Sequence, residues 1–132
     1  MDLLPIGKYL NDANLGLYLE GREKSIYLYQ MPSVVPSGVL IKGPELGTPI
    51  DHELIGFHRT DFQVIVRHSD YQKGSSLAGK VSAALNLMEA RLGNMHFLYV
   101  RPRHLPIVYP VSEGGLSEFS VNFDACYRSI SL

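Results

Sequence analysis

The chain has 132 residues, enough for one domain with a single hydrophobic core. Twelve Lys and Arg stand against thirteen Asp and Glu, so the formal charge of −1 offers no basic surplus of the kind that holds nucleic acid. One cysteine, Cys126, leaves no internal disulfide, and no window approaches the roughly 20 apolar residues of a membrane span.

The first residues, Met1 to Gly7, carry neither the basic stretch nor the long apolar run of a signal peptide, so a reducing cytoplasm is the expected setting. Residues 2 to 13 predict a short helix with Leu3, Leu4, Ile6, Tyr9 and Leu10 on its apolar side. Pro5 is tolerated there only in a first turn. Leu15 to Leu19 is apolar but punctuated by glycines, and reads as irregular or a weak strand.

Ser25 to Gln30 reads as a strand with Ile26 and Leu28 on one face and Tyr27 and Tyr29 on the other. Pro32 and Pro36 then bracket a turn, and Gly38 to Lys42 forms the next strand, so the pair is expected to be a β-hairpin. Gly43 to Phe57 is a long loop broken by Pro44, Gly47 and Pro49 and made acidic by Glu45, Asp51 and Glu53. Loops of this length in small domains are commonly functional.

Thr60 to Arg67 is dense in β-branched and aromatic residues and predicts a strand. It feeds a long helix over about 69–92. Ser69 and Gln72 have capping-box spacing, Leu77, Ala78, Val81, Ala84, Leu85, Met88 and Leu92 recur at three- and four-residue steps, and Gly93 suits a helix end. Met95 to Arg101 predicts a strand, and Leu105 to Val111, with Pro106 and Pro110, an edge strand or extended chain. Ser112 to Gly115 reads as a turn. The last strand alternates most cleanly: Phe119, Val121, Phe123, Ala125 and Tyr127 face one way, and Glu118, Ser120, Asn122, Asp124, Cys126 and Arg128 the other. The sum is one α+β domain over residues 1–132. Its mixed or antiparallel sheet has about five to six strands, packed by the long helix and a short N-terminal one.

Chemistry is sparse. His52, His58, His68, His96 and His104 do not have the spacing of a structural zinc site. His52 and His58 flank the acidic loop, where Asp51 or Glu53 could join a metal, but solvated loop residues are the simpler reading. Lys73 to Ser76 has the residue types of a phosphate loop but sits inside the predicted helix. Asp61, Asp70 and Asp124 could be paired carboxylates, but each has a local explanation, as strand start, cap region and wet strand face. Cys126, beside Asp124 and Arg128, reads as a small strand side chain, and Arg101, Arg103 and His104 as a solvated corner around Pro102. No catalytic residue, cofactor or metal site is expected, and the chain is not expected to be an enzyme.

The run Arg59 to Arg67 with Ser69, Asp70 and Tyr71, and the closing Glu118 to Phe123 with Tyr127 and Arg128, resemble small minor capsid and tail-terminator proteins of long-tailed bacteriophages. The resemblance spans about residues 25 to 128. It implies a structural virion protein that assembles as a ring, commonly a homohexamer, on the finished tail tube, stops tube growth and faces the head connector. Its partners would be itself, the tail tube protein and the head connector or stopper, with DNA only in transit, no membrane and no cofactor. Assembly would take place in the host cytoplasm. Candidate interface residues are then Glu45, Asp51 and Glu53 of the loop, Tyr27 and Tyr29, and Arg101 and Arg103. The outer helix face with Lys73, Lys80, Asn86, Glu89 and Arg91 is a second candidate patch. The alternatives are a head-completion or neck protein, a small enzyme or ligand-binding domain using His52, His58 and the acidic loop, and an adaptor that adds a strand at a sheet edge.

Overall fold

Two helices and seven strands follow one another in the computed structural model, which describes residues 1–44, 47–109 and 115–130. In chain order they are α1 (Leu4–Asn11), β1 (Ile26–Leu28), β2 (Gly38–Lys42), β3 (Phe57–His68), α2 (Tyr71–Ala84), β4 (Leu87–Leu92), β5 (Met95–Pro102), β6 (Ile107–Val108) and β7 (Ser117–Ser129). All seven strands join one sheet in the order β1-β2-β3-β7-β5-β4, with β6 beside the first half of β7. This is the α+β class expected, with more strands and a shorter second helix.

The centre of the sheet is the long antiparallel pair β3–β7. Its register sets Phe62 opposite Phe123, Val64 opposite Val121 and Val66 opposite Phe119, all buried. Alternation therefore turns one whole face of both strands inward, as the last strand's pattern predicts. Against that face α2 and its C-cap pack Ala78, Val81 and Leu85, while α1 and its N-cap bring Leu3, Ile6 and Leu10 into the same core. The sheet curls enough for α1 to touch both of its edges, β1 and β4. Pro5 lies against Gly93 of the β4–β5 turn, and Leu28 of β1 lies against Gly7.

Three expectations are corrected. The helix does not run to Leu92. It ends at Ala84, and Leu87–Leu92 is a strand paired with β5. Leu, Met, Glu, Ala and Arg are good helix formers, but pairing with β5 overrides that preference, and Leu87 and Leu92 join the core's margin. Gly93, at φ +61, opens the two-residue turn of this hairpin rather than closing a helix. Secondly, β1 and β2 are parallel, with Ile26 opposite Val39 and Leu28 opposite Ile41. Strands this short need only a brief return, which residues 29–37 make. Arg67 ties that return down, donating from Nη1 to the carbonyls of Pro32 (2.9 Å) and Val35 (3.2 Å) while its Nε pairs with Glu118.

Thirdly, the cap of α2 is Asp70, not Ser69. Its carboxylate accepts from the Lys73 amide, and its own amide donates to His68 Nδ1 at 2.9 Å, so no Ser69–Gln72 box forms. The hydrogen bond from the Lys73 backbone holds the Asp70 carboxyl below its ordinary value. A carboxyl depressed by folding stabilises above its unfolded pKa and loses that contribution as pH falls through the folded value. Asp70→Ala is therefore expected to unfold at lower temperature than the parent at neutral pH, and the two curves should converge in acid. Thermal melts from pH 7 to below the ordinary carboxyl range check this, and a gap that persisted in acid would contradict it.

Of the edge strand or extended chain expected over Leu105–Val111, Ile107–Val108 is a strand, and Pro110, Val111 and most of the Ser112–Gly115 turn lie outside the described residues. Among the described residues, no helix is long and apolar enough to cross a membrane.

Candidate functional site

With the helices on one face of the sheet, the other face is free to carry function. Residues directly opposite on neighbouring strands share a face. Arg59, Asp61, Gln63 and Arg67 of β3 thus stand beside Cys126, Asp124, Asn122 and Glu118 of β7. On the far side of β7, Tyr99 aligns with Cys126, Arg101 with Asp124 and His96 with Arg128. Lys42 and Arg91 extend the face through their partners Gln63 and His96.

The row through Asp61 and Asp124 is the most constrained. These carboxylates sit directly opposite each other, an arrangement that like charges alone would resist. Arg103, on the chain leaving β5, resolves it. Its Nη2 lies 2.6 Å from Asp124 Oδ1 and 3.5 Å from Asp61 Oδ2, with Nε at 3.2 Å from Asp124. The hydrogen bond to Asp124 is the chief reason the guanidinium is raised above its ordinary value. The corner is held in register because the Arg103 amide donates to the Asn122 carbonyl. His104 Nδ1 donates to the Leu105 carbonyl at 2.7 Å, which leaves Nε2 to accept from the Asn122 side chain at 3.1 Å.

Sequence reading gave Asp61 and Asp124 separate local roles, and the structure brings them together. Arg103→Gln is expected to cost no more than about 1 kcal/mol, because all three side chains are partly solvated. The loss should shrink as added salt screens the two carboxylates, which denaturant titrations at low and high ionic strength would read.

A groove of about 680 Å³ opens on this face, bounded by Arg59, Gln63, Tyr99, Arg103 and Asn122 and by the base of the loop at Gly43, Pro44, Gly47 and Pro49. Arg101 lies over the Tyr99 ring, 4.4 Å from its centroid. The face is basic as a whole. Lys42, Arg59, Arg67, Arg91, Arg101, Arg103 and Arg128 lie on it, and Lys24 stands over Tyr27, whose partner Leu40 is opposite Ile65. That places eight of the twelve Lys and Arg on one side of the molecule. Among the described residues the carboxylates that pair on this face are Asp61, Asp124, Glu118 and Glu89, the last bound to His96 at 3.0 Å. A net charge near zero concealed this segregation.

The loop is anchored at its base and exposed at its tip. Thr48 accepts from the Met1 amino group, contacts Thr60 at 3.3 Å and hydrogen-bonds Tyr127. Burial pushes the Tyr127 phenol up, with the Thr48 bond working the other way. His58 packs against Tyr127 with the rings tilted and their centroids 5.1 Å apart, and its Nδ1 lies 3.3 Å from the Pro49 carbonyl. His52 is exposed farther along the loop. No three His, Cys, Asp or Glu side chains converge on a metal-sized site among the described residues.

Asp51 turns the tip by accepting from the amides of Glu53 and Leu54. Glu53 is exposed, as are Ile50, Leu54 and Ile55 at 71%, 55% and 90%. Glu45 lies outside the described residues. Tyr27 and Tyr29 lie on different sides of the sheet. β1 stops at Leu28, and φ +71 at Tyr29 turns its ring so that the hydroxyl faces the Leu3 amide, on the helix side. The supposed outer helix face also divides, since Lys73 and Lys80 are on α2, Asn86 follows it, and Glu89 and Arg91 are on β4.

Among the described residues, these features carry charge and contact area. The family model described as bacteriophage tail terminator protein matches residues 9–128. The chain belongs to that family. The match reaches back into α1, beyond the segments that carried the resemblance in the sequence. Among solved structures, a chain of the "Virion of native gene transfer agent (GTA) particle" has the same fold, with TM-score 0.67 and 16% identity over 96% of this chain and 95% of that one. No curated protein sequence matches. The tail terminator is thus a structural protein of the virion that ends the tail.

Proposed function

We propose that this tail terminator ends the tail as a closed ring, commonly a hexamer, seated on the tail tube with its other side offered to the head connector. It acts by contact rather than by catalysis, assembles in the host cytoplasm, and lets DNA pass through its lumen. The observation that carries this reading is the placement of exposed apolar side chains. Seven of the thirteen exposed large apolar side chains among the described residues fall in two stretches, Ile50, Leu54 and Ile55 in the loop and Leu105, Ile107, Val108 and Tyr109 around β6. The first adjoins the start of β3, whereas β6 pairs with Ser120 and Phe119, opposite the other end of β3. The stretches thus lie at diagonal corners of the β3–β7 pair. Two separated apolar patches suit a subunit with contacts in two directions, one to its ring neighbour and one along the tail axis.

Ile55→Glu and Leu105→Glu test this reading. Their side chains are 90% and 86% exposed, so each substitution should move stability by no more than about 0.5 kcal/mol. Each is expected to weaken binding to purified tail tubes about tenfold or more, as a sedimentation assay would show. Tube binding equal to the parent's in the double variant would remove both stretches from the assembly.

A further inference from the structure

We propose that the contact between neighbours in the ring is made by the acidic tip of the loop, Glu53 with Ile55, docking on the arginine face of the next copy of this chain. The inference rests on the ring reading and gives it a partner surface. Four observations support it.

First, the receiving face has cations to spare. Arg103 is engaged by two carboxylates and Arg67 by Glu118, but neither Arg59 nor Arg101 has an ion-pair partner among the described residues. The two flank one row of the face, in which Arg59, Cys126 and Tyr99 stand side by side with Arg101 over the Tyr99 ring. Secondly, the loop has a carboxylate to spare. Asp51 is occupied in turning the tip, whereas Glu53 is exposed and unpaired among the described residues.

Thirdly, the apolar parts match as well. Beside Glu53 stand Leu54 and Ile55, and beside Arg59 and Arg101 stand Tyr99 and its β4 partner Met88, which is 80% exposed. An acidic, apolar segment thus answers a stretch of the face where two arginines without ion-pair partners stand beside Tyr99 and Met88. Fourthly, the two surfaces are unlike, so the contact is head to tail. Such a contact can close into a ring, where a self-complementary patch would stop at a dimer. Opposed charges would also fix the register of neighbours and disfavour wrong pairings.

The test uses the full chain and purified tail tubes. Glu53→Arg alone, and Arg59→Glu with Arg101→Glu, should each weaken assembly on tube ends at least about tenfold, because each sets like charges against each other. Combining all three substitutions in one chain restores opposite signs and should recover most of that loss. All three proteins should melt within a few degrees of the parent, since the altered side chains are exposed or unpaired. If the charge-reversed variants assemble like the parent, the contact is elsewhere and the ring reading stands. Three folded variants that all fail, the combined one included, would equally overturn the pairing. If the parent itself forms no ring on tubes, the ring reading falls and this inference with it. Duplex DNA retained by the parent, lost with Arg59→Glu and Arg101→Glu, and accompanied by normal assembly of Glu53→Arg would reassign the face to a polyanion.

Discussion

Replacing Phe123 with Ala is expected to remove about 3–5 kcal/mol of unfolding free energy, close to the limit of what a domain of this size can lose. Phe123 is fully buried and stacks on Phe62, with centroids 5.0 Å apart and planes 8° from parallel. The two rings are direct partners at the middle of β3–β7, the pair that joins the β1–β2 side of the sheet to the β5–β4 side. Truncation loses the ring's burial, the stacking, and the contacts of whatever cavity fails to collapse. The melting temperature should fall by roughly 10–20 °C. A drop of only a few degrees would mean that the core relaxes around the cavity, and that these strands are not what holds the sheet.

Two glycines of α2 should respond to the same substitution with opposite signs. A Cβ on Gly74 would lie 2.6 Å from the buried Phe119 ring and 2.9 Å from His68 Cβ, neither of which can swing aside. Gly74→Ala therefore has to lift α2 off β7, and a cost of about 1–3 kcal/mol should exceed the roughly 1 kcal/mol gained in helix propensity. Gly79 is exposed with open space around its Cβ position, so Gly79→Ala should keep that gain and raise the melting temperature. Calorimetry of the two variants beside the parent decides the matter. Stabilisation by both would show that the helix does not rest on Phe119.

The contrast between these glycines marks what the sequence could show. The strand entering a helix and the alternating last strand were legible because period-2 and period-3.6 patterns survive in their apolar residues. Leu87 to Leu92 was not, because its residues favour a helix and only pairing with β5 makes it a strand. Gly93 followed by Asn94 was the available signal, a two-residue hairpin turn that the helical periodicity masked. The parallel pairing of β1 and β2 was hidden for another reason. Strand, turn, strand is ordinarily a hairpin, and the Arg67 clip on the return segment comes from 32 to 35 residues farther along the chain.

The site followed the same division. Single residues were legible by type, whereas their groupings depend on the fold. Arg103 was visible as a basic residue near a proline, but its engagement with Asp61 and Asp124 depends on the register between β3 and β7, which are distant in the sequence. The basic face depends on the same register. A formal charge of −1 averages that face with the carboxylates gathered elsewhere, so composition argued correctly against a basic protein while hiding a basic surface.

The most direct measurement is negative-stain imaging of purified tail tubes incubated with this tail terminator, read together with the native mass of the protein released from them. Ring-shaped density on tube ends, tubes that no longer elongate when tube protein is added, and a released mass several times the 14.7 kDa chain are the predicted result. Bare ends on tubes that keep growing at saturating protein would contradict it.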